Sequence, residues 1–286
     1  MAVEEVTGAP ARRRFTELPH ALSGADPRFA PLLMAWERYR VDGRRNPYLD
    51  GGEAALFIAR RLGQPAGRIA AHLAEPGGEG RFGFWWVDDD AEVAVALVDT
   101  ARAWLGERGC SSMTGPWSFT EDDEAGLLVE GYDVPGLTGR PWHPPHLAGR
   151  LEALGFRGIE DRPTWRLPVA AHGDAAPPSS SGTAASPGQA GAYVDRRLVL
   201  DGIAAVPDLA DALRASGLRS AWSLAKRARA GEWTTGTVVR CTDDPAIAVP
   251  ALRAAAGAAG YRWLVAPWTD AAAPPEAVHR VYRADW

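Results

Sequence analysis

The chain has 286 residues, 46% apolar and 23% charged, which is enough ordinary globular sequence for one large core or two smaller ones. Its net charge of −5 speaks against a nucleic-acid partner, which favours a basic face. Two cysteines, Cys110 and Cys241, make neither a disulfide framework nor a metal-type spacing, and no run of eighteen apolar residues offers a membrane span.

Residues 1–11 begin a polar stretch without the apolar segment of a signal peptide. They read as a flexible arm, and a cytoplasmic location is the expectation. From Asp26 to Tyr39, Phe29, Leu32, Leu33 and Trp36 fall at helical spacing. Ala54–Ala59 and Arg68–Leu73 read as strands joined at the Gly63-Gln64-Pro65 turn, and Gly83–Val87 as a third. Asp88-Asp89-Asp90 then opens a helix from Ala91 to about Glu107, with Gly109 as its stop. A strand over Ser111–Thr114 runs into Gly115-Pro116-Trp117. A helix over Pro145–Leu154 and a strand over Thr164–Leu167 follow.

Residues 171–192 are rich in Pro, Gly, Ser and Ala and hold almost no bulky apolar side chain, so they read as a linker between 12–170 and 193–286. Beyond it the pattern recurs. A strand over Val238–Cys241 leads to Asp243-Asp244-Pro245, an Ala-rich helix ending at Gly260, a strand at Trp263–Val265 and then Pro267-Trp268. Strand, acidic cap, helix, glycine, strand and Pro-Trp repeat at a spacing of about 150 residues, as expected of a duplicated unit.

The segment GPWSFTEDDEAGLLVEGYD over 115–133, with Pro141-Trp142-His143-Pro144-Pro145 and Leu154-Gly155-Phe156, resembles a group of bacterial GNAT-like (acetyltransferase-like) proteins. Asn46-Pro47-Tyr48 and Gly67–Ala71 fit the same group. The resemblance covers most of 12–168. It implies an α/β (α+β) fold, a mixed sheet flanked by helices with a splayed central strand pair. The second unit would be a truncated copy of the first.

The same resemblance implies acyl-CoA as a cofactor, held by its pyrophosphate on free N–H groups at a helix N-terminus. The usual Arg/Gln-x-x-Gly-x-Gly/Ala loop is absent. With Leu97 as the anchor, Asp89 stands at the Arg position, and Glu92 and Ala94 stand at the glycines. Two unit charges 4 Å apart interact by about 4 kcal/mol at an effective dielectric of 20, so acids there oppose a bound diphosphate. Leu151 stands where many relatives carry a general-acid tyrosine.

Two stretches are candidates for chemistry. His143 and His146 can move protons near neutral pH, although both also suit a plain helix entry. With Pro144-Pro145 between them and no third ligand, a metal site is not expected. Asp122, Asp123 and Glu124 can act as base or receive a cation, with Trp117 and Trp142 as aromatic walls. Tyr132 and Arg140 fall in the same stretch. Solvated-loop acids are the plain alternative. A basic face of Arg219, Trp222, Lys226 and Arg229 on a helix would suit an acyl carrier protein, or merely solvent.

The expected function is acyl transfer to a small-molecule substrate from an atypical donor site, in specialised metabolism. One alternative is a repurposed scaffold that catalyses a cyclisation or isomerisation by proton transfer in an acidic, tryptophan-lined pocket. The other is a non-catalytic binding protein.

Overall fold

The computed structural model describes residues 1–29, 34–44, 46, 48–119, 124–134, 136, 140–168, 223–227, 233–238, 246, 249–250, 253, 263–266, 269 and 272–286. The chain divides into two compact units, Met1–Arg162 with Val278–Trp286, and Pro163–Ala277.

The first unit begins with β1 (Ala2–Glu5), which pairs antiparallel with β2 (Glu53–Arg61). Helices α1 (Gly8–Ser23), α2 (Met34–Arg40) and α3 (Tyr48–Gly51) come between them in the chain. β2, β3 (Gln64–Leu73) and β4 (Arg81–Val87) form an antiparallel meander. Helix α4 (Ala91–Gly106) carries the chain across to β5 (Ser112–Gly115), which lies parallel to β4 through Arg81 and Thr114. β6 (Leu127–Glu130) and helix α5 (His146–Ala153) follow. The C-terminal strand β11 (Ala277–Asp285) pairs antiparallel with both β5 and β6.

Local chemistry accounts for these elements. α4 is capped by Asp90, whose Oδ1 accepts the N–H groups of Glu92 (2.9 Å) and Val93 (3.4 Å). Its buried stripe is Val93, Ala94, Leu97, Val98, Ala101 and Leu105, at helical spacing. Gly109, at φ +83°, takes the left-handed conformation that ends the turn. β3 and β4 are buried almost end to end, as befits central strands.

A bulge interrupts the β3–β4 ladder. Arg68 opposes Trp86 but Ala70 opposes Gly83, so β4 carries one residue more than β3 between those pairs. Phe84 takes φ +51° there. Gly83 is required at this bend, since a Cβ on it would overlap the carbonyl oxygen of Trp117.

In the second unit, β10 (Trp263–Ala266) pairs antiparallel with the end of β7 (Arg157–Pro168) and parallel with β9 (Trp233–Val238). β8 (Ser223–Arg227) pairs antiparallel with β9. Residues 246, 249, 250 and 253 are helical and fall between the parallel strands β9 and β10, as α4 falls between β4 and β5. Thus each unit contains a strand–helix–strand run that ends in a parallel pair. Among the described residues no helix is long and apolar enough to cross a membrane.

Several sequence expectations are corrected. Residues 1–11 are not a free arm, because the Val3 backbone pairs with Ala59 and α1 starts at Gly8. The helix expected over Asp26–Tyr39 is α2 from Met34, and Asp26–Phe29 forms a turn closed by Phe29 N donating to Asp26 O. Of the strand expected over Val238–Cys241, Val238 is the last residue of β9, and residues 239–241 fall outside the described residues. Lys226 lies in strand β8, so it belongs to no basic helix face, while Arg219, Trp222 and Arg229 fall outside the described residues. The final strand, assigned from sequence to the second unit, is part of the first from Val278 onward. The linker over 171–192, the Asp243-Asp244-Pro245 cap, Gly260 and Pro267-Trp268 lie outside the described residues.

Candidate functional site

The bulge in β4 opens one pocket in the first unit. Its floor is Arg68 of β3 with Phe84, Trp85 and Trp86 of β4. One wall comes from α1 and the turn after it, through Thr16, Pro19, His20 and Phe29, and α2 adds Glu37. The other wall is Pro116, Ser118, Glu124 and Gly126, with Pro141, Trp142 and His143 beyond them. The pocket is partly open to solvent. Half of its lining is aromatic or proline, and polar and charged side chains make up most of the rest, a mixture suited to a small molecule.

The aromatic walls are packed on one another. Phe29 meets Trp86 edge-on at 5.5 Å between ring centres, and Trp86 lies 5.4 Å from the His143 ring. Arg28 stacks over Trp142 at 4.8 Å and donates to Tyr132 O, the same carbonyl that accepts from Trp142 Nε1. Trp142 is therefore pinned from behind by a cation.

The charged base of the pocket is a buried network. Arg40 is fully buried and bridges the carboxylates of Glu37 and Glu124, with Nη2 3.1 Å from Glu124 Oε2. Arg68 Nη1 donates to Phe15 O at 2.8 Å and stands 3.9 Å from Glu37 Oε2. Burial lowers the Arg68 pKa to about 10, so it stays charged at neutral pH. The Glu124 side chain is 19% exposed.

His143 is fixed in one tautomer. Its Nδ1 accepts the Leu128 N–H at 3.1 Å, which leaves the ring proton on Nε2. Burial, with the Arg68 charge adding to it, lowers its pKa to about 3. His143 is thus a neutral hydrogen-bond donor near neutral pH, not the proton shuttle expected of it. Its ring faces His279 of β11 at 6.0 Å, and the His279 pKa also falls to about 3 through burial and the nearby His143.

Of the residues singled out from sequence, Glu124, Trp142 and His143 line this pocket together. His146 does not. Its Nε2 donates to Val87 O at 2.9 Å and ties α5 to the end of β4. Trp117 packs in the core with Ala125 and Val281, its ring flanked by Arg162 at 4.7 Å. Tyr132 contributes its carbonyl to the Arg28–Trp142 clamp, and Arg140 precedes the wall residue Pro141. Asp122 and Asp123 fall outside the described residues.

Sequence reasoning missed Glu37, Arg40, Arg68, His20 and Trp86. One signal was available: Arg68 is a charged residue inside a strand whose following residues, Ile69, Ala70 and Ala71, are apolar and buried.

The α4 N-terminus, where the resemblance would place a pyrophosphate and where the sequence puts acids instead, is held by its own chain. Two N–H groups of α4 are taken by Asp90, Arg61 pairs with Asp90, and Arg150 donates to Asp89 Oδ1 at 2.7 Å. Burial raises the Asp88 pKa, opposed by the Arg61 charge. Among the described residues no group of three His, Cys, Asp or Glu could hold a metal ion.

No protein-family model matches the chain. The chain is similar to Protein YghO of Escherichia coli (strain K12), with 34% identity over 160 residues, 54% of this chain and 41% of that protein. It is similar to the Bacterial ceramide synthase of Caulobacter vibrioides, with 31% identity over 156 residues, 52% of this chain and 41% of that protein. The matches thus span about two fifths of those relatives' length. Among solved structures, a tandem GNAT protein from the clavulanic acid biosynthesis pathway aligns with a TM-score of 0.55 at 14% identity, over 99% of this chain and 98% of that one. A GCN5-related glucosamine N-acetyltransferase region of a fungal β-N-acetylglucosaminidase aligns at 0.53 and 9% identity, over 99% of this chain and 38% of that one. The chain has the tandem GNAT-like fold.

Proposed function

We propose that the chain is an acyltransferase-like enzyme that joins an acyl group to the amine of an aliphatic amino alcohol in the first-unit pocket. The observation that carries this reading is the placing of Glu124, whose side chain is part-exposed, among the aromatic and proline residues of the pocket beside the β4 bulge. The similarity to a ceramide synthase supports the substrate class, since a ceramide is the amide of a long-chain amino alcohol.

Glu124 is the general base. It accepts a proton from the amine as nitrogen adds to the acyl carbon of the donor thioester; the C–S bond then breaks and the donor sulfur leaves as a thiol, taking up that proton, while Arg40 orients the carboxylate. His143 serves as a neutral donor through Nε2. The apolar walls hold the aliphatic part and keep water away from the base.

Coenzyme A does not fit at the α4 N-terminus, because Asp90 occupies the N–H groups that would receive its pyrophosphate. The acyl donor is anchored elsewhere, either as an acyl-CoA with a different grip or as an acyl carrier protein. The blocked helix end also favours a second reading, a scaffold that catalyses a proton-transfer cyclisation or isomerisation with the same carboxylate.

The test is direct. The purified chain is incubated with a long-chain amino alcohol and either acyl-CoA or acylated carrier protein, and the products are weighed by mass spectrometry. An amide that disappears with Glu124→Gln supports the proposal. A folded protein that makes no amide from any donor sinks it.

A further inference from the structure

The protein does not satisfy every polar atom in the pocket. Arg68 and Trp86 are directly opposite in the β3–β4 register, so their side chains leave the same face of the sheet side by side. Both are buried and both line the pocket. Among the described residues, Arg68 Nε and Trp86 Nε1 have no hydrogen-bond partner. Glu37 Oε2, also buried on the pocket wall, accepts no hydrogen bond and stands 3.9 Å from Arg68 Nη1. An indole N–H and a guanidinium can only donate, and an ionised carboxylate can only accept. Buried polar groups are nearly always paired in folded proteins. His20 Nε2 on the same pocket is unpartnered as well, so four buried polar atoms of the lining stand unmet, and a ligand with an acceptor and a donor close together would satisfy the Arg68, Trp86 and Glu37 atoms.

We infer that Arg68, Trp86 and Glu37 form a specificity-determining subsite for a neutral oxygen, hydroxyl or keto, on the carbon next to the amine-bearing carbon. The inference rests on the reading of this pocket as an amine-acylating site. The oxygen accepts from Trp86 Nε1 and Arg68 Nε. The neighbouring nitrogen donates one N–H to Glu37 Oε2 and yields its other proton to Glu124. A carboxylate in place of that oxygen would put a third anion beside Glu37 and Glu124, whose charges already face Arg40 and Arg68. A plain alkylamine would leave the Arg68 and Trp86 donors buried and unmet.

Calorimetry on the full chain with three probes of equal chain length tests this: dodecylamine, 2-amino-1-dodecanol and 2-aminododecanoic acid. The amino alcohol is expected to bind at least about tenfold more tightly than the alkylamine. Trp86→Phe removes one donor and should erase most of that preference, read as the ratio of amino-alcohol to alkylamine affinity. Arg68→Lys keeps the charge, removes Nε–H and should do the same, which covers the case of a Trp86 variant that does not fold. Equal binding of amine and amino alcohol to the unaltered chain, tightest binding of the amino acid, or a preference that survives both substitutions would each overturn the subsite while leaving amine acylation standing. Binding of none of the three overturns the amine-acylation reading itself, and the subsite falls with it.

Discussion

Arg40 and Glu124, 84 residues apart in sequence, meet in a part-buried ion pair at 3.1 Å, and the same guanidinium also holds the buried Glu37. The pair joins α2 to the segment between β5 and β6. It makes the pocket's base a property of the folded unit and not of any one segment.

Arg40→Met should therefore uncover two neighbouring carboxylates. Breaking a buried pair by removing one partner costs about 3–5 kcal/mol. The loss is read from chemical denaturation, and Glu37→Gln in the Met background should recover part of it.

Glu124→Gln should lower acyl transfer by roughly 10²–10⁴-fold with little change in fold, the usual share of a general base. Circular dichroism and single-turnover kinetics check both halves. His143→Asn should cost less in rate, since His143 does not carry the proton.

Acid should destabilise the first unit through three buried histidines. Burial lowers His72, His143 and His279 to about 3 each, from an ordinary value near 6.5. Below pH 6.5 the unfolded chain binds protons that the folded chain refuses. Stability is therefore full above about 6.5 and falls as pH drops toward 3. The slope approaches about 1.4 kcal/mol per pH unit for each histidine. Thermal melts between pH 7 and 5 should show a steep fall, and His72→Gln should make it shallower.

Asp90→Ala removes the cap of α4 and should cost about 1 kcal/mol. If the donor's anchor lies elsewhere, the same variant should leave acyl transfer unchanged per folded molecule. A marked gain in acyl-CoA affinity would instead show that Asp90 was what kept a diphosphate away.

Gly83→Ala should cost several kcal/mol, because its Cβ has no room against the Trp117 backbone. Trp117 O also accepts from His72 Nε2 at 2.9 Å, and Tyr48 hydrogen-bonds to His72 Nδ1 at 2.8 Å. Moving Trp117 would disturb that chain and the adjacent wall residues Pro116 and Ser118. Denaturation midpoints of Gly83→Ala and Tyr48→Phe, compared singly and together, measure the coupling.

Local signals made much of the first unit legible. The Asp88–Asp90 run, the apolar stripe of α4 and Gly109 marked one helix almost to the residue, because caps and periodicity act within a turn or two. The β2–β3 hairpin was plain from its turn. The Pro-rich entry to α5 placed Trp142 and His143 correctly beside a helix start. α1 went unread because its charged outer face and internal Pro19 obscure the pattern.

The sequence by itself determined the strand–helix–strand units, the acid that closes the α4 N-terminus and the aromatic wealth of the chain. Those depend on neighbours a few residues away. Only the tertiary structure decided that Arg68 opposes Trp86, that Arg40 joins Glu37 to Glu124, and that β11 completes the first unit. It alone turned His143 from a proton shuttle into a neutral donor, because burial and the Leu128 N–H set its state. Each of these depends on residues brought together across the sheet, and residue spacing carries no record of such contacts.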